Sequence, residues 1–349
     1  MTVKGRKPFF DILKYMKLYL ENGYADQDRI IETSNTFIFE VGARGTGKTY
    51  GAMDYLINRN KRFIYLRRTQ NEADLVKSDL LNPFKALNMD KGYEVKCGRG
   101  KNIFPFMKDD EVIGYGAGLS TFANIRGVDF SDVEIIFYDE FIPEKQARPI
   151  KEEFSALLNM YETVNRNREL QGRPPVKMVC CANSNRLDNP IFLGLQLVNK
   201  CAKMMEKGTE EYHDPSRDLS VIMFMNSPIS KEKRHTALYN LSAGTDFEQM
   251  AIYNMFDYDS DNIRPSKIRE YQPAVSIGEL CIYRHKSRKE YYVSCHASGT
   301  FKRVYTTSDV DRKRFYMQQL YIYDAYISDR VYFEDAVSLY LFEKYFDNL

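Results

Sequence analysis

The chain has 349 residues, of which 44% are hydrophobic and 28% are charged. Because single hydrophobic cores stop growing below this length, we expect more than one domain and take two as the default. The 50 lysine and arginine residues nearly balance the 48 aspartate and glutamate residues. The net charge of the molecule is therefore too small to hold a polyanion, and any such partner must bind to local basic patches.

The first part of the chain alternates predicted helices with buried strands. PFFDILKYMKLYLENG repeats apolar residues at helical spacing and stops at Gly23, as an amphipathic helix should. Further helices are predicted over 49–58 and 152–169. Continuous apolar strands between helices are typical of a parallel sheet covered on both faces, so we predict one α/β domain over residues 1–202. The four predicted strands cover 36–41, 63–66, 133–138 and 176–181.

The rest of the chain changes character twice. Residues 203–262 are rich in charge and polar turns, with short helical patches such as DFEQMAIYNMFDY, and we predict a helical linker subdomain there. Residues 263–349 are predicted to form a small α+β domain, in which GELCIYRH and EYYVSCH flank the charged turn KSRK as a β-hairpin. Its tail combines a strand-like QLYIYDAYI with a helical FEDAVSLYLFEKYF.

The cysteines and the hydropathy pattern indicate the compartment. The six cysteines form no C-x-x-C pair and show no metal-ligand spacing, which favours buried reduced thiols in a cytosolic protein. No apolar stretch approaches the roughly 20 residues that span a bilayer. The N-terminus MTVKGRKPFF lacks the core of a signal peptide. We therefore expect a soluble intracellular protein with no membrane partner.

A glycine-rich loop is the strongest chemical signal in the sequence. GARGTGKT matches G-x-x-x-x-G-K-[ST] and lies between a predicted strand and a predicted helix, which disfavours the alternative of a chance glycine-rich turn. In such a loop backbone N–H groups surround phosphate oxygens, Lys48 reaches the β and γ phosphates, and the Thr49 hydroxyl binds Mg²⁺. We therefore predict a site for ATP and Mg²⁺. The predicted nucleotide-binding residues are Gly42, Arg44, Gly45, Thr46, Gly47, Lys48, Thr49 and Tyr50.

An acidic pair supplies the second element that a phosphate loop needs. EIIFYDEF places Asp139 and Glu140 at the carboxyl end of a buried strand, where ligands of open α/β sheets bind. Asp139 is the predicted metal ligand, and Glu140 is the predicted residue that polarises an attacking water. Because a hydrolase must activate water whereas a kinase must exclude it, the pair favours nucleotide hydrolysis.

Two polar residues are candidates to assist the reaction. Asn183 ends the apolar strand KMVCCANSN and could sense the γ-phosphate or align water. The alternative is that it is a turn residue, since asparagine is common in the turns that follow strands. In EEFSALLNMYETVNRNREL the helical projection places Arg166 off the apolar face and Arg168 close to it. Arg166 can then reach the nucleotide of a neighbouring subunit, and the alternative is a solvated surface arginine. The projection fails if the helix ends early.

Five segments carry a resemblance to a known family. GARGTGKTY, FIYLRR, IIFYDEFIPEK, SALLNMYETVNRNRE and CCANSN, in this order and spacing, resemble the DNA-packaging ATPases of small podophages of the prohead-RNA-dependent type. The resemblance is dense over residues 35–185 and weaker through GTDFEQMAIYNMF. In the last ninety residues it is limited to the length of the segment and its general residue pattern.

The resemblance implies a motor that moves double-stranded DNA into a preformed capsid using ATP. It implies a homo-oligomeric ring, a pentamer in the family, that docks on the portal in the host cytoplasm and is absent from the mature virion. The implied fold is a terminase-like ASCE P-loop ATPase. It also implies that Arg166 acts between subunits, with Arg126 as a second candidate.

DNA contacts and the C-terminal domain are further implications of the resemblance. The family places DNA-contacting loops in the central channel of the ring. Basic side chains that contact phosphates and do not read bases allow DNA of any sequence to pass. The alternative is a basic loop that is only solvated. Strand alternation separates Arg67 from Arg68, so both cannot face the channel. The C-terminal domain is implied to be ribonuclease-H-like, and we predict a nuclease-dead docking module. The candidate DNA contacts are Arg59, Lys61, Arg62, Arg67 and Arg68, and the candidate contacts to a structural prohead RNA are Arg284, Lys286, Arg288, Lys302 and Arg303.

Three functions fit the sequence. The leading one is the packaging motor. The second is a hexameric helicase or a secretion-type ATPase with the same core. The third is a nucleotide-gated assembly adaptor that binds ATP and hardly turns it over.

Overall fold

The computed structural model of the protein describes residues 18–78, 81–125, 127–143, 147, 150–183, 187, 189–242, 262–264 and 268–346. These residues group into two compact units. The first contains the described residues up to 183 together with 208–242, and the second contains those from 187 to 207 together with 262–346. Most of the predicted N-terminal helix lies outside the described residues.

Strands and helices mostly alternate through the first unit, whereas the second contains four consecutive strands followed by a helix, a strand and a helix. The described strands are β1 (Phe37–Gly42), β2 (Phe63–Arg67), β3 (Lys96–Cys97), β4 (Ile103–Lys108), β5 (Glu111–Gly118), β6 (Ile135–Asp139), β7 (Lys177–Ala182), β8 (Glu211–Asp214), β9 (Leu219–Phe224), β10 (Tyr271–Ile277), β11 (Leu280–His285), β12 (Tyr291–Ser294), β13 (Arg303–Tyr305) and β14 (Val331–Phe333). The described α-helices are α1 (Gln27–Ile31), α2 (Lys48–Asn58), α3 (Gln70–Leu75), α4 (Lys85–Lys91), α5 (Glu153–Asn165), α6 (Pro190–Gly194), α7 (Val198–Lys207), α8 (Pro228–Glu232), α9 (Ala237–Leu241), α10 (Asp309–Ile327) and α11 (Ala336–Phe346).

The first unit is built on a nine-stranded sheet in the order β3-β4-β5-β2-β6-β7-β1-β9-β8. Its six central strands, from β5 to β9 in that order, are parallel, and antiparallel strands flank them on both sides. Every residue of β6 is buried, and so are all but the first of β1 and β7. Strands buried on both faces read as continuous apolar runs. The predicted α/β fold with a mostly parallel sheet is confirmed.

The strand order decides which loops meet. β7 lies between β1 and β6, and its residues pair in register with both strands, so that Cys181 pairs with Glu40 on one side and Asp139 on the other. Parallel strands end at the same edge of a sheet. The segments that follow β1, β6 and β7 therefore lie side by side at one edge.

The structure divides residues 203–262 differently from the predicted linker subdomain. β8 and β9 fall in this range and belong to the large sheet, with β9 parallel to β1. The predicted boundary at residue 202 falls inside α7, which groups with the second unit. All six residues of β9 are buried, so the run LSVIMF is a core strand. It was not predicted from the sequence, because charged residues surround this short run. DFEQMAIYNMFDY lies outside the described residues.

The second unit contains a five-stranded sheet in the order β13-β10-β11-β12-β14. β10, β11 and β12 are antiparallel neighbours, and the outer strands add in parallel. The predicted hairpin is confirmed as β11 and β12, and the predicted C-terminal helix is confirmed as α11. The ribonuclease-H-like assignment stays a prediction.

The strand-like reading of QLYIYDAYI is wrong, because these residues end the 19-residue helix α10. Ser308 caps this helix by accepting from the backbone N–H of Asp311. The buried residues Phe315, Gln319 and Ile322 recur at helical spacing. Packing of this face against the sheet outweighed the β propensity of the tyrosines and isoleucines.

Candidate nucleotide-binding site

The glycine-rich loop joins β1 to α2, and its backbone requires glycine at two positions. Gly47, directly before α2, has a φ of +92°, in the left-handed region that favours glycine. At Gly42 a Cβ atom would lie 2.7 Å from the Cβ of Phe224 in β9. The loop can therefore turn tightly and present its N–H groups to an anion at the start of α2.

Lys48 is folded into this loop. The residue is 4% exposed, and its Nζ donates hydrogen bonds to the carbonyl oxygens of Gly42 and Ala43 at 3.0 and 2.9 Å. A third bond of 3.1 Å reaches Oγ1 of Thr46. Burial lowers the pKa of the ammonium. All three N–H groups thus have oxygen partners within the loop, and a phosphate oxygen would compete for the same donors.

Thr49 and Asp139 meet across the sheet edge. The Thr49 hydroxyl donates to Oδ1 of Asp139 at 3.0 Å. The other carboxylate oxygen accepts from the Tyr65 hydroxyl at 2.7 Å and from the Arg67 guanidinium at 3.2 Å. Residues that are 90 positions apart in the chain are therefore joined by a bond that only the order of the strands makes possible.

Glu140 follows directly after β6 with a φ of +56°. Burial, and then the adjacent Asp139 carboxylate, raise the pKa of Glu140. The Asn183 backbone N–H donates to Oε2 of Glu140 at 3.2 Å, and the Asn183 side-chain amide donates to Oε1. The two residues predicted to act on water are thus in direct contact, and the asparagine fixes the orientation of the carboxylate.

Arg166 lies at the surface just beyond α5. The helix ends at Asn165, and Arg166 has a φ of +46°, so the helical projection does not extend to it. Its guanidinium donates to the carbonyl oxygen of Val128 at 2.7 Å, and its side chain is 48% exposed. Arg168 is buried and donates to the carbonyl oxygen of Val133. Arg166 is thus exposed and Arg168 buried, but the helical projection from which this was predicted fails, because the helix ends before both residues.

With this geometry established, comparison with known proteins identifies the family. Residues 19–321 match the family of podovirus DNA encapsidation proteins (Gp16). The chain belongs to this family. The DNA packaging proteins of Bacillus phages phi29 and PZA are each 30% identical to this chain over 285 residues, which cover 78% of this chain and 79% of each relative.

Solved structures show the same fold over nearly the whole chain. The bacteriophage Phi-29 viral genome packaging motor assembly matches with a TM-score of 0.63 and 23% identity, over 94% of this chain and 100% of that one. The Phi-28 DNA packaging motor matches with a TM-score of 0.61 and 21% identity, over 94% and 99%. Because both structures are at most 23% identical to this chain, the comparison establishes that this chain shares their fold.

In this encapsidation protein the basic residues around the start of β2 lie at the opposite sheet edge from the glycine-rich loop. Each is between a third and a half exposed, and each is paired with a carboxylate. The pairs are Arg59 with Asp28 and Glu32, Lys61 with Glu134, and Arg62 with Asp132. A DNA phosphate would have to displace these carboxylates.

The two arginines at the end of β2, Arg67 and Arg68, both pair with carboxylates. Arg68 is 2% exposed and donates two hydrogen bonds, of 2.7 and 2.9 Å, to Glu153. The structure thus contradicts the prediction that Arg68 contacts DNA, because a guanidinium buried in a bidentate ion pair cannot reach a duplex. Arg67 forms an ion pair with Asp139, and its side chain is 20% exposed. Contact of Arg67 with DNA stays a prediction.

The remaining predicted residues divide between described and undescribed parts of the chain. The backbone at Arg126 lies outside the described residues. Arg44 and Tyr50 are exposed at the loop and at the first turn of α2. The five candidate RNA contacts in the second unit are all exposed.

Within the described part of the chain, no cluster of three or more His, Cys, Asp or Glu side chains is arranged to hold a metal ion, and no helix is long and apolar enough to cross a bilayer.

Sequence reasoning missed a buried acid on β1. Glu40, two residues before Gly42, is 0% exposed, and the Gln27 side-chain amide donates to its Oε2 at 2.6 Å. Burial raises the pKa of Glu40 to about 7. The signal was a single glutamate inside the apolar run FIFEVG, where burial without a partner is costly.

Proposed function

We propose that this chain binds ATP with Mg²⁺, hydrolyses ATP, and couples hydrolysis to movement of double-stranded DNA into a preformed capsid. Membership of the DNA encapsidation family and the names of the relatives support the packaging role. The contact between Thr49 and Asp139, with Glu140 and Asn183 beside it, supports the hydrolytic role.

The residues of this edge fit a nucleotide and its metal ion. The loop N–H groups and the start of α2 suit a polyphosphate. Hydroxyl and carboxylate oxygens suit Mg²⁺, and Thr49 and Asp139 would hold it. When bound, the metal neutralises charge on the β and γ phosphates. Arg67 and Tyr65 keep the Asp139 carboxylate oriented toward the loop.

Glu140 orients the attacking water and accepts its proton at a carboxylate oxygen. Its raised pKa brings its proton affinity closer to neutral pH, which favours proton transfer. Asn183 holds both carboxylate oxygens, so the base is fixed before the substrate arrives. In this arrangement the asparagine acts through Glu140.

The Glu140→Gln variant distinguishes the three candidate functions. For a motor we expect it to bind ATP and assemble normally but to lose turnover and packaging. An exposed carboxylate on β5 that forms no ion pair within the described residues, Glu111, supplies the control Glu111→Gln, which should package at the wild-type rate. Wild-type packaging by Glu140→Gln would favour the adaptor. Turnover that needs neither capsids nor duplex DNA would favour a helicase or secretion ATPase.

We propose that Arg166 acts on the nucleotide of the adjoining subunit in a homo-oligomeric ring. Its half-exposed guanidinium at the surface supports this role. Arg166→Ala and Lys48→Ala should each be inactive alone. Mixed rings should regain activity, because an intact loop from the first variant can meet an intact arginine from the second. Mixtures that stay inactive at every ratio would show that Arg166 acts within its own chain.

We further propose that the ring is a pentamer at the portal vertex in the host cytoplasm, and that the second unit docks there and binds a structural RNA. The exposed basic residues of β11, of β13 and of the turn after β11 support RNA binding, because phosphate contacts need accessible positive charge. The combined variant Arg284→Glu and Arg303→Glu should reduce RNA affinity and leave ATPase activity unchanged. Filter binding at two salt concentrations measures this effect.

A further inference from the structure

A second lysine reaches the glycine-rich loop from a distant part of the first unit. Lys233 begins the short 3-10 turn Lys233–His235 after α8. Its Nζ donates a hydrogen bond to the backbone carbonyl oxygen of Arg44, which lies 189 residues earlier in the chain. The next residue, Gly45, has a φ of +71° and faces the same ammonium, so a Cβ there would collide with Nζ.

The described surroundings of Lys233 supply no counter-ion for its charge. The side chain is partly buried, and burial lowers the pKa of its ammonium. Among the described residues no carboxylate pairs with it, and its hydrogen-bond acceptor is a neutral carbonyl. An ammonium that has lost part of its hydration without gaining a counter-ion carries an energetic cost. A group of opposite charge bound at this place would remove that cost.

The segment that carries Lys233 is fixed against the loop by other contacts. The N–H of Ala25 donates to the carbonyl oxygen of Thr46 at 2.9 Å. Gly23, two residues earlier, packs so closely against α8 that a Cβ would lie 3.1 Å from the backbone nitrogen of Ile229. Residues 23–25 thus connect α8 to the glycine-rich loop, and Lys233 approaches the loop from a supported position.

We propose that Lys233 binds the terminal phosphate of a nucleoside triphosphate held by the loop. This inference rests on the proposed function, in which the loop binds ATP. The loop amides cradle the inner phosphates, so a cation that approaches from outside the loop is placed for the terminal one. On binding, the ammonium exchanges the Arg44 carbonyl for a phosphate oxygen, and residues 228–241 thereby respond to whether the site holds a triphosphate or a diphosphate.

Three substitutions separate phosphate binding from a structural role. Lys233→Met removes the charge and the donor, Lys233→Gln keeps a donor for the Arg44 carbonyl without the charge, and Lys233→Arg keeps both. Lys85→Met is the control, because Lys85 is an exposed lysine on α4 that forms no ion pair among the described side chains. Affinities for AMPPNP and for ADP are measured by competition with a fluorescent nucleotide, with circular dichroism as the test of folding.

We expect Lys233→Met and Lys233→Gln to weaken AMPPNP binding about tenfold, the effect of losing one charge-assisted hydrogen bond, and to change ADP binding little. Lys233→Arg and Lys85→Met should bind both nucleotides as the wild type does. Equal losses for AMPPNP and ADP in Lys233→Met, with normal binding by Lys233→Gln, would overturn the inference and assign Lys233 to loop structure. Unchanged binding in every variant would also overturn it. If the wild type bound neither nucleotide, the proposed function itself would fail.

Discussion

Replacing Glu40 by glutamine should change how the stability of this protein depends on pH. Glu40 is fully buried in β1, and the Gln27 amide donates to one of its oxygens at 2.6 Å. The Oε1 atom of Gln27 has no donor among the described residues. A proton on the Glu40 carboxyl would supply such a donor, whereas an ionised carboxylate would not. We therefore expect Glu40 to bind its proton more tightly in the folded chain than in the unfolded chain.

The magnitude follows from the pKa of Glu40, which burial raises from 4.5 to about 7. Since one pKa unit corresponds to about 1.4 kcal/mol, the shift contributes about 3 kcal/mol to the free energy of unfolding. This contribution is fully present below pH 4.5, because both states are then protonated. It is lost as the pH rises through about 7, because the unfolded state then ionises freely in water whereas the folded state must either keep the proton or bury a charge.

Urea unfolding at several pH values between 5 and 8 tests this reasoning. The stability of Glu40→Gln relative to the wild type should increase by about 2.5 kcal/mol from pH 5 to pH 8, because glutamine cannot ionise and part of the effect is already lost at pH 5. The surface control Glu111→Gln should run parallel to the wild type. Parallel curves for Glu40→Gln and the wild type would refute the reasoning and show that Glu40 is ionised in the fold.

Three further substitutions test the site and its support. Arg68→Met should lower the free energy of unfolding by about 3–5 kcal/mol, because it leaves the Glu153 carboxylate buried without its partner; an unchanged urea midpoint would contradict the buried ion pair. Asn183→Ala should lower the kcat of ATP hydrolysis about 10²-fold with little change in KM, because Glu140 loses its orientation; steady-state rates decide, and a raised KM with normal kcat would assign Asn183 to binding. Thr49→Val should raise the Mg²⁺ concentration needed for half-maximal hydrolysis, which a metal titration measures, and an unshifted titration would remove Thr49 as a metal ligand.

The sheet edge that carries the glycine-rich loop, Asp139, Glu140 and Asn183 was predictable because its parts follow from local patterns. The loop motif, the acidic pair and Asn183 each come directly after an apolar run, and parallel strands end at the same edge. The structure brings these residues together because β7 separates β1 from β6 and pairs with both. Their catalytic roles remain proposals, but their proximity required only the order of the strands.

The basic residues were not predictable in the same way. Charge and alternation indicate that Arg67 and Arg68 point in different directions, but they do not say what each side chain meets. Arg68 meets Glu153 in α5, and Arg67 meets Asp139. In both cases the partner lies more than 70 residues away, so only the packed fold shows which charge remains available to DNA.

The sequence by itself determined the α/β fold of the first unit and the chemistry of its loop, because strand hydrophobicity and the glycine pattern are properties of contiguous residues. Only the tertiary structure decided that β9 completes the sheet, that Glu40 lies in a site that favours its protonated form, and that Lys233 reaches the loop. The physical reason is that desolvation and hydrogen-bond partners depend on atoms contributed by distant parts of the chain. A residue's type fixes what it can donate or accept, and the fold determines which partner it meets.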